Sequence, residues 1–157
     1  GARLLVTGST HDAWGYRRTS SPQAQAQLVE RLVNKILNHR KEIERTNTYY
    51  CDEDELDILL IAFGFTARSA LGAVRQARAA DIRAGLLRLT TLWPFPQSTI
   101  AAVGKRARRV MVPEMNHGQM LREVQRVIPQ AVGYHRTDGE VITMPELCEA
   151  MRKELSQ

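Results

Sequence analysis

The sequence predicts an α/β domain, a mostly parallel sheet with helices on both of its faces. Three observations carry this reading. Asp57-Ile-Leu-Leu-Ile-Ala-Phe63 is an unbroken apolar run, as expected of a strand covered on both sides. From there to the end of the chain, strand-like and helix-like segments alternate at a spacing that implies right-handed crossovers. Gly64 with Thr66, Gly118 and Thr143 stand where those segments change, as turn, helix-opening and capping residues.

The elements follow in order. Residues 3–7, Arg-Leu-Leu-Val-Thr, read as a short strand, and Gly8 begins a polar loop that lasts to Ser21. Ser21-Pro22 is an N-cap followed by proline at the first helical position, a helix start with a mechanism. Leu28, Leu32 and Ile36 then recur every four residues beside Val29, Val33 and Leu37, opposite Arg31, Lys35 and Arg40. That pattern predicts one long amphipathic helix reaching about Glu44. Residues 46–56 are polar and acidic and read as a surface connection. They form the expected seam between an N-terminal strand, loop and helix (residues 1–50) and the main unit (residues 51–157), a single domain overall and a fragment of a larger subunit. The run Asp52-Glu-Asp-Glu55 lacks the glycine turn and ligand spacing of a calcium loop.

Beyond the seam, Thr66 is placed to cap a helix over residues 67–80, and residues 84–89 are the next strand. A proline-rich loop (residues 90–96) and a short helix (residues 98–103) precede a strand at residues 109–113. The helix opened by Gly118 has an apolar face of Met120, Leu121, Val124, Val127 and Ile128. Residues 131–135 form the last strand, and Thr143 caps a final helix over residues 145–155.

Composition excludes several classes of function. The chain has 157 residues, 43% hydrophobic and 25% charged, which suits one compact domain that folds without disulfides. Its longest apolar run is far shorter than the roughly 20 residues a membrane helix needs. Residues 2–8 offer neither a charged region nor a long apolar stretch, so no signal peptide is expected. Gly1 stands in place of Met, as a trimmed chain, a tag remnant or a processed terminus would leave it. Cys51 and Cys148 lie far apart and outside any C-x-x-C pair, so a disulfide framework, a structural zinc and a cysteine-ligated cluster are not expected here. The expected compartment is the reducing cytoplasm. A net charge of +5, with Lys105, Arg106, Arg108 and Arg109 clustered, suits either solvated faces or a patch for an acidic or phosphorylated partner. No aromatic residues interleave with that cluster, which disfavours single-stranded nucleic acid.

Four motifs carry what chemistry the sequence offers. Gly64-Phe-Thr-Ala-Arg68 joins a strand to a helix N-terminus, and reads either as a phosphate site or as a plain turn. Trp93-Pro94-Phe95-Pro96 is stiffened by its prolines at the carboxyl edge of the sheet. Its rings either stand out as interface anchors or fold back to plug the edge. In Glu114-Met-Asn116-His-Gly118-Gln119, a carboxylate beside an imidazole is suited to acid–base work. The structural reading is Asn116 as a helix cap, with Glu114 held by backbone N–H groups. His11-Asp12, in Thr7-Gly-Ser-Thr-His-Asp-Ala-Trp-Gly15, lacks metal-ligand spacing. The serines sit in caps and loops without an elbow motif, so no catalytic triad is expected.

In this order the four motifs resemble the alpha subunit of the 2-oxoacid:ferredoxin oxidoreductases, over its second domain. The resemblance covers nearly the whole chain: Thr7-Gly8 with His11-Asp12 and Gly15, Gly64 with Ala67-Arg68-Ser69-Ala70, then Gly85-Leu-Leu-Arg-Leu with Thr91. Its two specific motifs are Trp93-Pro-Phe-Pro96 and Glu114-Met-Asn-His-Gly-Gln119. It implies a three-layer α/β/α fold like the transketolase C-terminal domain, with a five-stranded sheet whose first strand runs opposite to the rest. It also implies an enzyme that converts a 2-oxoacid and coenzyme A to acyl-CoA and carbon dioxide. Thiamine diphosphate with Mg2+ would carry that chemistry, and iron–sulfur clusters would pass electrons to ferredoxin. In the family the thiamine lies between the first alpha domain and the beta subunit. The resemblance therefore implies assembly with the beta subunit and other alpha subunits, and gives this part no catalytic, cofactor or metal residue. The sequence departs from the family at Phe65, where serine is usual, at Thr10 and Ala13, where acids are frequent, and at His117, where an aliphatic residue is. Leu92-Trp93-Pro94 resembles the 2-oxoglutarate members more than the pyruvate members. Two other readings remain open at this stage. One is the equivalent domain of another thiamine enzyme, a transketolase or a dehydrogenase beta chain. The other is a stand-alone module for a phosphorylated ligand.

Overall fold

The computed structural model describes residues 8–157, so the strand expected at residues 3–7 lies outside them. The chain divides after Ile43 into two compact units. In the first, Ser21 caps helix α1 (Pro22–Leu37) by accepting the Ala24 N–H at 3.2 Å. The helix does not run to Glu44 as expected. It stops at Asn38, a residue that competes for its own backbone and favours helix ends, and a single turn, α2 (Arg40–Ile43), follows. No residue of α1 is buried, and Val29, Leu32, Val33 and Leu37 on its apolar face are 40–46% exposed.

The second unit is a five-stranded sheet between two layers of helices. It comprises β1 (Thr46–Tyr49), β2 (Leu56–Phe63), α3 (Thr66–Arg78), β3 (Ala84–Leu89), α4 (Gln97–Gly104), β4 (Ala107–Glu114), α5 (Gln119–Gln125), β5 (Val132–His135) and α6 (Met144–Leu155). The spatial order is β1-β3-β2-β4-β5. β1 pairs antiparallel with β3, Thr46 opposite Leu89, and the other strands are parallel. The implied five strands, with the first opposite in direction to the rest, are therefore present, but the antiparallel strand is part of the segment read as a surface connection. Thr46-Asn-Thr-Tyr49 lies at the sheet's edge, where one side of the ladder is open and neither face is fully buried. It shows no apolar run, so nothing in its composition marked it as sheet.

Why the apolar run works as a central strand is visible in its alternation. Ile58, Leu60 and Ala62 pack under α3 and α6, whereas Leu59 and Ile61 face the layer of α4 and α5. All five are fully buried, and each of the larger side chains contributes about 1.5–3 kcal/mol by leaving water. α3 meets the sheet with Ala67, Ala70, Ala73 and Ala77, small residues that let the helix approach closely. α6 starts as expected at Thr143, whose N–H and hydroxyl both donate to Glu146, at 2.7 and 2.6 Å.

Candidate functional site

The expected motifs of the second unit gather at the carboxyl edge of the parallel strands, where α/β sheets commonly meet ligands and partners. At the end of β2, Gly64 turns the chain with φ +54°, a conformation that favours glycine. Helical geometry begins at Phe65, so Thr66 is not the cap. It is the first residue of α3 and is buried, while Phe65 holds the cap position with no acceptor to offer. Phe65 is 53% exposed, and the Arg68 guanidinium stands 5.7 Å above its ring.

The loop after β3 is tied to the chain entering β1. The Arg45 carbonyl accepts the N–H groups of Thr90 and Thr91 at 3.0 and 3.1 Å, and the Thr91 hydroxyl accepts the Arg45 N–H at 2.9 Å. The Trp93–Pro94 bond is cis. The two rings part company here: Trp93 is 59% exposed, whereas Phe95 packs against the core beneath α4 and α5. Pro94 and Pro96 are buried. Each of the two sequence readings thus describes one ring.

After β4 the geometry is that of a held loop. Glu114, the last residue of the strand, is completely buried. One carboxylate oxygen accepts the Met120 N–H and the other the Leu121 N–H, both at 2.9 Å. Asn116 Oδ1 accepts the N–H groups of Gly118 and Gln119 at 2.9 and 3.1 Å, closing the turn that leads into α5, while the cap position expected of Asn116 is held by Gly118. Gly118 has φ +83°, and a Cβ there would lie 2.9 Å from the His135 ring. That imidazole completes the arrangement, its Nε2 3.6 Å from Glu114. His135 ends β5. Register gives its role: β4 and β5 are parallel and Glu114 sits opposite His135. With both oxygens engaged and no exposure, Glu114 fixes Met115, Asn116 and His117 in place rather than meeting a substrate. Met115 and His117 are exposed, and so is Gln119.

His11 and Asp12 belong to the first unit. Asp12 folds its own loop: Oδ1 accepts the N–H groups of Trp14 and Tyr16, both at 3.0 Å, and Oδ2 meets Arg18 Nε at 3.1 Å. Desolvation acts to raise its pKa, but those two N–H groups and the guanidinium outweigh it and hold the carboxyl below the usual range. His11 Nδ1 is 2.9 Å from the Ser9 carbonyl, so the two side chains serve different partners.

The chemistry left at the carboxyl edge is that of a surface. Among the described residues no group of three His, Cys, Asp or Glu is placed to hold a metal. Cys51 and Cys148 are buried on opposite faces of the sheet, so they cannot share a cluster. Burial pushes both thiols up, away from the reactive thiolate. The basic cluster at Lys105, Arg106 and Arg108 lines a cleft of about 600 Å³ at the opposite edge, interleaved with Asp54, Glu55 and Asp57.

Comparison with known proteins fits this architecture. Residues 56–147 match the model of the pyruvate:ferredoxin oxidoreductase core domain II. The chain belongs to this family. It is 44% identical over 127 residues to the 2-oxoglutarate synthase subunit KorA of Methanothermobacter marburgensis, covering 81% of this chain and 33% of that one. Among solved structures, a 2-oxoglutarate:ferredoxin oxidoreductase from Magnetococcus marinus, with 2-oxoglutarate, coenzyme A and succinyl-CoA bound, superposes with a TM-score of 0.79 at 22% identity. That match covers 98% of this chain and 27% of the other. A split-gene transketolase superposes at 0.58 and 19% identity, over 71% of this chain and 42% of the other. At those identities the two structures establish the fold, and it is the fold implied by the motifs. This domain II chain spans about a third of the length of the KorA relative.

Proposed function

We propose that the chain is the second domain of the alpha subunit of a 2-oxoacid:ferredoxin oxidoreductase, acting on 2-oxoglutarate, and that it serves assembly rather than catalysis. One observation carries the assembly role. The edge where the specific motifs converge presents an exposed Trp93 on a tethered loop, while its carboxylate, Glu114, is sealed by backbone N–H groups. The KorA likeness supports 2-oxoglutarate as the substrate, which would be converted with coenzyme A to succinyl-CoA and carbon dioxide.

Thiamine diphosphate, Mg2+ and iron–sulfur clusters would supply the decarboxylation and electron transfer of the whole enzyme. The described residues do not fit a cysteine-held cluster or a metal: both cysteines are buried apart and no group of three His, Cys, Asp or Glu is placed for a metal. This domain would instead contact the beta subunit and other alpha subunits, with ferredoxin accepting electrons from the whole assembly in the cytoplasm. No described helix is long and apolar enough to cross a membrane.

The test is reconstitution. The isolated chain, given thiamine diphosphate, Mg2+, coenzyme A and a viologen dye, should reduce no dye with any 2-oxoacid. The complete enzyme containing it should do so with 2-oxoglutarate in preference to pyruvate. Dye reduction by the isolated chain would overturn the division of labour. Preference for pyruvate would overturn the substrate.

A further inference from the structure

The carboxyl edge carries two features that the family assignment leaves unused. The first is an apolar patch. Phe65, Leu92, Trp93 and Met115 are each 37–59% exposed, and each follows the end of β2, β3 or β4, three neighbours in the sheet. Loops leaving neighbouring parallel strands emerge side by side, because strands lie about 4.8 Å apart. The second is positive charge without a counter-charge. Arg68 on α3 and Arg122 on α5 are exposed, and neither has a carboxylate partner among the described residues. The local acids do not compensate: Glu114 is buried, and the first turns of α3 and α4 contain none.

Resting on the assembly role proposed above, we infer that this edge docks a protein surface with an apolar centre and a rim of carboxylates. Trp93 and Phe65 anchor the centre, and Arg68 and Arg122 receive the acids. An aromatic anchor inside a complementary charged rim is the arrangement that gives an interface both affinity and partner choice.

The test uses the complete enzyme and reads subunit dissociation by sedimentation velocity at low and high salt. Arg68→Glu with Arg122→Glu should raise the dissociation constant about tenfold or more at low salt and flatten its salt dependence. Arg68→Gln with Arg122→Gln should give a smaller change in the same direction. Trp93→Ala should weaken association at both salt concentrations. Circular dichroism of each variant chain identifies any that misfold, and the glutamine changes keep the proposal testable if the glutamate changes are among them. If Trp93→Ala weakens association and the charge changes leave it untouched, the acidic partner is wrong and the assembly role stands. If Trp93→Ala is also silent, both fall.

Discussion

Replacing Glu114 with alanine tests how the loop after β4 is held. The carboxylate is fully buried and accepts two backbone N–H groups, from Met120 and Leu121, near the start of α5. Alanine leaves both donors facing a void. Stranding a buried donor costs about 1–3 kcal/mol, so two of them give about 2–6 kcal/mol before any rearrangement. The lower half of that range is the better expectation, since a water entering the vacated space would satisfy one donor. Glutamine is not a neutral replacement. Its carbonyl can accept one N–H, but its amide then points a donor at the other, so Glu114→Gln should cost about 1–3 kcal/mol. Urea unfolding of the isolated chain, followed by far-ultraviolet circular dichroism, measures both. Losses below about 1 kcal/mol for both variants would refute the reasoning, because the two hydrogen bonds would then hold nothing that water does not hold equally well.

Two further predictions concern stability. Hydrogen exchange should be faster across residues 8–21 than across residues 58–63, because the first stretch contains no buried residue and the second lies in the most buried strand; equal protection would refute this. Asp57 is held below the usual carboxyl range chiefly by hydrogen bonds from the Arg83 side chain, which outweigh desolvation, with the Arg83 N–H adding to them. A depressed folded pKa adds stability above the unfolded value, about 3.9, and that stability is lost as pH falls through the folded value. Asp57→Asn should therefore cost little more than about 1 kcal/mol at neutral pH and less at pH 2. A cost that is the same at both pH values would show that the ion pair is not its source.

Most of the second unit was legible in the sequence for one physical reason: a strand covered on both faces must be apolar throughout, and a covered helix must be apolar on one face. Residues 57–63 and the two faces of α3 obey those rules, and so their elements were readable. β1 was not, because an edge strand with half-exposed faces is under neither constraint, and Thr46-Asn-Thr-Tyr49 looks like a loop. Helix ends were readable where a side chain makes the cap, as at Ser21 and Thr143. They were misplaced at Thr66, where the backbone of Gly64 sets the start of the helix. At the site, a structural role for Asn116 at the start of α5 was visible in local sequence, since its partners are two and three residues away, although Gly118 holds the cap position. His135 was not, because it lies 21 positions beyond Glu114 and meets it only through strand register.

The three loops of the carboxyl edge share no sequence, but each is fixed before any partner arrives. Gly64 starts α3 immediately after β2. Arg45 takes three hydrogen bonds with the loop that carries Trp93. Glu114 and Asn116 between them hold four N–H groups around Met115 and His117. Ordering a loop at the moment of binding costs about 1–2 kcal/mol per residue in backbone entropy, which is subtracted from whatever the contact yields. Loops held by the fold avoid most of that loss, and exposed rings on such loops are therefore effective anchors. In the loop after β4, Glu114 and Asn116 turn their carboxylate and amide oxygens to the backbone and so hold Met115 and His117 outward, as the ties to Arg45 hold the loop that presents Trp93.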